Sequence, residues 1–145
     1  MKKIISILTV SALMVFYQNI ADSQENGYCG FFSSDSPNCN GYFNIYSSIK
    51  GGSLWSNKLD TDPVAQRIHR DSQKVQNILE KCGITVYLGN SDTFSTFTPD
   101  LVVVHSNSHS DIIKAKAELE RAKSCGVTGF TKKSKMTLSD SENGD

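Results

Sequence analysis

His105 and His109 stand four residues apart with Asp111 just beyond them, a grouping that invites a metal-ligand reading. Their setting argues against it. His105 closes an apolar, strand-like run and His109 opens a polar turn, so no shared helix face aims both at one ion. Four cysteines, Cys29, Cys39, Cys82 and Cys125, are the other reactive groups, and none forms the closely spaced pair of a structural zinc site. An even number in an exported chain reads instead as two disulfides, for which three connectivities exist. Serines are abundant, yet none sits in a nucleophile-elbow pattern, and no phosphate-binding or dinucleotide-binding glycine loop is present. These residues give no support to an enzyme, a metal or a cofactor.

The elements that position them follow from periodicity. Tyr42 to Ile49 reads as a strand with Phe43, Ile45 and Ser47 on one face, ended by Gly51-Gly52. A connecting loop carries Trp55. Asp62-Pro63 starts a helix, on which Val64, Ile68, Val75, Ile78, Leu79 and Cys82 recur at helical spacing up to Gly83. Ile84 to Leu88 is a short strand. Leu101 to Val104 is an uninterrupted apolar run, as in a strand buried centrally in a sheet. Ser108, three residues before Asp111, resembles a capping box, and Ile112, Ala115, Leu119 and Ala122 keep helical spacing to Cys125-Gly126. Val127 to Phe130 is the last strand. The phrase Cys82-Gly83-Ile84-Thr85 therefore returns as Cys125-Gly126-Val127-Thr128 in the same place, after a helix and before a strand.

The order predicts an α+β, ferredoxin-like βαββαβ fold: a four-stranded antiparallel sheet with two helices on one face. Right-handed crossovers put the strands that precede helices in the centre and leave the other sheet face open. The domain spans residues 42–136. Residues 1–23, with Lys2, Lys3 and the apolar run Ile4 to Tyr17, have the anatomy of a signal peptide, too short for a stable transmembrane anchor. Residues 24–41 form a cysteine-containing extension, and 137–145 an acidic tail of disordered composition. Between Gly41 and Met136 thirteen Lys and Arg face nine Asp and Glu, the balance of an ordinary surface and not of a nucleic-acid interface.

Gly89-Asn90-Ser91-Asp92-Thr93-Phe94 through Phe97-Thr98-Pro99, then Leu101 to Val104, then a helix with Ala115, Ala117 and Leu119, resembles the second half of SPOR domains. The resemblance implies a non-enzymatic module that binds peptidoglycan glycan strands on the open sheet face, in the periplasm or outside the cell. The first and third strands depart from the family's pattern. Asn44 stands where glutamine is usual, Tyr46 where glycine is usual, and His105-Ser106-Asn107 where glycine-proline-aromatic is usual. The glycan-face candidates are Asn44, Tyr46, Trp55, Tyr87 and His105, since aromatic rings stack on sugars and amides bond to hydroxyls. Phe94 and Phe97 read as core pegs under a loop, and Lys132, Lys133 and Lys135 as a solvated strand end. The alternative is a disulfide-stabilised secreted protein of the same fold that binds an envelope protein.

This fold sets an expectation for the disulfides. Its two helices run antiparallel, which puts their C-terminal ends at opposite edges of the domain, beyond the ~7 Å Cα separation a disulfide spans. Cys82 and Cys125 are then expected to pair not with each other but with Cys29 and Cys39, against the alternative of a local Cys29–Cys39 loop.

Overall fold

The computed structural model describes residues 38–137. The signal peptide, the extension up to Pro37 with Cys29, and the tail from Leu138 lie outside the described residues. The elements are β1 (Asn38–Lys50), α1 (Gly52–Lys58), α2 (Pro63–Lys81), β2 (Val86–Asn90), a 3-10 turn (Ser91–Thr93), β3 (Leu101–Ser106), α3 (Ile112–Ser124) and β4 (Phe130–Thr137). All neighbouring strands are antiparallel, in the order β2-β3-β1-β4, with β1 and β3 central. This is the ferredoxin-like arrangement, with α1 added.

Helix α1 replaces the loop expected around Trp55. Its cap comes from far along the chain. The Asp100 carboxylate accepts bonds from the Ser53 N–H and hydroxyl, and the Asp100 carbonyl accepts from Gly51 and Gly52. Helix α2 begins as its sequence implies, with Asp62 Oδ1 accepting from Val64 N and Ala65 N and with Pro63 in the first turn. Helix α3 is capped by Asp111, not Ser108: Asp111 Oδ1 accepts from Ile113 N and Lys114 N. Ser108 and His109 instead press on Gly41, where any Cβ would overlap them.

Both central helices end in the same motif. Gly83 N–H bonds to Glu80 O and Ile84 N–H to Leu79 O; Gly126 and Val127 repeat this with Lys123 O and Ala122 O. These are twin Schellman caps, with the glycines at φ +73° and +84°. Ile84 and Val127 fold back onto Leu79 and Ala122 as part of one buried cluster. That use of their side chains explains why β2 starts at Val86 and β4 at Phe130, later than β-propensity suggests.

The Cys82–Cys125 pairing corrects the sequence-based expectation. The two are joined by a disulfide, with Cα atoms 6.4 Å apart. The helices do run antiparallel, but the strands are staggered. The thirteen-residue β1 pairs with β3 over Ile45–Lys50 and with β4 over Asn38–Ile45, so its neighbours cover different halves. Helix α2 descends over one half and α3 ascends over the other, and their C-terminal ends meet above the middle of β1. Arg121 Nη2 adds a 3.2 Å bond to Gly83 O across the junction.

A core lies on each face of the sheet. On the helix side Tyr46, Leu79, Ile84, Val86, Val104, Ala122 and Val127 pack together. On the other side Phe43, Ile45, Phe94, Val103 and Met136 do so. Val102, Val103 and Val104 are all buried, and each contributes roughly 1.5–3 kcal/mol relative to exposure. A β-bulge between Ile45 and Ser47 breaks the alternation of β1. Ser48, not Ser47, therefore continues the Phe43 and Ile45 face.

Candidate functional site

Alternation along β1 turns Asn44 and Tyr46 toward α3. There Tyr46 donates a 2.6 Å bond to Glu118 Oε1, and Asn44 Nδ2 donates to Ala115 O at 2.8 Å and to Glu118 Oε1 at 3.1 Å. Thr131 donates to Asn44 Oδ1 at 2.7 Å. His109 Nε2 lies 3.3 Å from Glu118 Oε2, within ion-pair distance when the ring is protonated. Burial works against the charged Glu118, but the contacts from His109, Tyr46 and Asn44 outweigh it and hold its carboxyl below the usual range. Burial, reinforced by the Glu118 carboxylate, raises the Tyr46 hydroxyl well above its ordinary value. The network docks α3 onto the sheet. Asn44 and Tyr46 are therefore under a helix and not on the opposite face, which corrects their placement as glycan contacts.

The opposite face is only partly open. The segment from Phe94 to Thr98 crosses it, with Phe94 stacked on Phe97 at 4.2 Å and set edge-on to Phe43 at 5.1 Å. Backbone and hydroxyl bonds from Ser95 and Thr96 to β4 hold the segment down. His105 is buried beneath it among Phe43, Phe94 and Tyr87. Nδ1 lies 2.8 Å from Ser106 O and Nε2 has no partner among the described residues, so the neutral tautomer protonated at Nδ1 fits the site. Desolvation lowers its pKa to about 4. Tyr87 is half-buried at the edge of this cluster. Trp55 lies apart on α1, where its ring stacks on His69 and Nε1 donates to Nδ1 at 3.2 Å. The five sequence-selected residues thus fall into three places, and His105 is too buried to meet a ligand.

What stays accessible on this face is a groove of about 160 Å³, lined by Ile45, Ser48, Phe97, Leu101, Phe130 and Lys132 among others. Phe130 is 53% exposed at the start of β4. Lys132 Nζ lies 5.7 Å from the Phe97 ring centroid. The groove holds no nucleophile beside a base. It offers an aromatic surface, an ammonium and hydroxyls, which is the chemistry of stacking and hydrogen bonding. Among the described residues no cluster of three or more His, Cys, Asp or Glu could hold a metal ion.

Sequence reasoning missed Glu118 and Phe130. Glu118 carries a readable signal: it lies three residues after Ala115 and four before Ala122, on the helix stripe that faces the sheet. Phe130 carries none, because its exposure depends on where β4 begins.

Comparison of the chain with protein-family models, with curated proteins and with solved structures returns no match. The disulfide accords with an oxidising, extracytoplasmic setting. Among the described residues no helix is long and apolar enough to cross a membrane.

Proposed function

We propose that this chain is an exported, non-enzymatic binding module of the cell envelope that holds a peptidoglycan glycan strand against the sheet face opposite the helices. The observation that carries the reading is the groove around Phe130: a half-exposed ring on a rigid sheet, with Lys132, Ser48 and the Phe97 ring beside it. A sugar ring stacks on Phe130 while its hydroxyls bond to Ser48 and Thr98. The groove is smaller than the roughly 300–1,000 Å³ of a pocket that encloses a whole small ligand, which suits one unit of an extended polymer. The SPOR-like second half of the sequence supports the same ligand class. A specific observation favours a second reading, an envelope protein as ligand: Ile45, Phe97, Leu101, Val103 and Phe130 make most of the lining apolar.

The test is retention on purified, amidase-treated sacculi. Wild-type chain is retained above an unfolded control, and Phe130→Ala and Lys132→Ala reduce retention several-fold without loss of folding. Absence of wild-type retention refutes the glycan reading and leaves the protein partner.

A further inference from the structure

The stagger of strands leaves β1 with two half-edges that no strand of the sheet covers. Below β3 the edge is closed by the chain itself: Tyr42 and His109 exchange backbone bonds of 2.9 and 2.8 Å. Above β4 it is not. Pairing with β4 stops at Ile45↔Phe130, while β1 continues to Lys50 and pairs with β3 alone over Ser47–Lys50. In an antiparallel strand alternate residues point their N–H and C=O groups to opposite sides, so about half of this stretch presents them outward. Beside it opens a cavity of about 300 Å³, lined by Ile45, Tyr46, Ser47, Ser48, Thr128, Gly129 and Phe130. Ser48 and Lys50 are exposed.

We propose that Ser47–Lys50 is a strand-addition site, which takes an extended segment of a protein partner into the position β4 would occupy were it longer. Main-chain bonds to the free edge supply the docking, and alternate side chains supply the choice of partner. One side of the added strand lies against Ile45 and the exposed Phe130 ring and calls for an apolar residue. Lys50 and Lys132 flank that side and call for acidic residues next to it. The partner segment is therefore extended, apolar at one position and acidic at its flanks. The proposal shares Phe130 and Lys132 with the glycan groove but differs from that reading in its use of backbone groups that a sugar does not need, so N-methylation of the peptide separates the two.

The probe is a capped heptapeptide, Thr-Glu-Thr-Val-Thr-Glu-Thr, which puts its valine and both glutamates on one face, titrated into isotope-labelled full-length chain while amide resonances are followed. Saturable shifts at Ser47 to Lys50 and Thr128 to Phe130 are expected. They should vanish with the peptide N-methylated at alternate residues, weaken several-fold with lysine in place of its glutamates, and weaken with Phe130→Ala protein. Shifts elsewhere, none at millimolar peptide, or shifts indifferent to N-methylation would overturn the proposal. If the same amides move with protein concentration alone, the occupant is a second copy of this chain, and the partner assignment falls.

Discussion

Cys82 and Cys125 hold the same position in two copies of one helix-ending motif, and the stagger along β1 brings their Cα atoms to 6.4 Å. The bond adds a covalent tie across a junction that the Arg121–Gly83 bond and a shared core cluster also span. It closes a loop of 43 residues in the unfolded chain. In the chain-entropy account that is worth about 4 kcal/mol. Replacing both with alanine should lower the urea-unfolding free energy by an amount of that order, and reduction of the wild type should lower it by at least as much. A loss below about 1 kcal/mol would show that the unfolded chain gains little from the link. With these two paired, Cys29 and Cys39 have only each other within the chain, so non-reducing peptide mapping should recover both linked pairs.

The twin caps predict a second pair of effects. Gly83 and Gly126 adopt positive φ with open space where a side chain would go. Alanine at either position meets no steric obstacle, and the cost is conformational alone, about 1–2 kcal/mol. The two costs should couple and not simply add, since the Cys82–Cys125 bridge joins the two helix ends with Cα atoms 6.4 Å apart. Thermal or urea unfolding of the single and double variants measures this. A cost near zero at either site would mean that the cap can relax.

Periodicity and capping residues made α2 legible from Asp62-Pro63 to Gly83, and the apolar run from Leu101 marked a central strand. Helix α1 was hidden because its cap is Asp100, 47 residues away in sequence from Ser53. The faces of β1 were obscure for a different reason. Both are buried, one around Phe43 and one around Asn44 and Tyr46, so no polar-apolar alternation remains to read. Register is the quantity that sequence carried least. The disulfide was misjudged on it, because antiparallel helices of equal register separate their ends whereas staggered ones join them.

The Asn44, Tyr46 and Glu118 network should behave as a unit. Tyr46→Phe removes a donor from a charged acceptor and should cost about 1.5–3 kcal/mol. Glu118→Gln should cost a similar amount, while the double variant should cost less than the sum. The depressed Glu118 pKa adds a pH dependence. Its contribution is full above the unfolded-state pKa and fades as pH falls through the lower folded-state value. Strictly additive losses in a double-mutant cycle would show that the three residues act separately.

His105 gives a pH effect of larger span. The ring is held neutral, with a folded-state pKa of about 4 against roughly 6.5 in an unfolded chain. Between those values the unfolded state takes up the proton and the folded state does not. Stability is therefore fully present above about pH 6.5 and declines toward pH 4, by about 3 kcal/mol in all. The unpartnered Nε2 among Phe43, Phe94 and Tyr87 sharpens the test. Leucine at 105 removes the unmatched Nε2 but takes a donor from Ser106 O, so its cost at neutral pH should be about 1–3 kcal/mol. Urea unfolding at several pH values should then show a flatter curve for His105→Leu than for the wild type over pH 4 to 6.5, while Glu118→Gln should leave the His105 part of the slope intact. Equal slopes in wild type and His105→Leu would mean that the ring is solvated in the folded state.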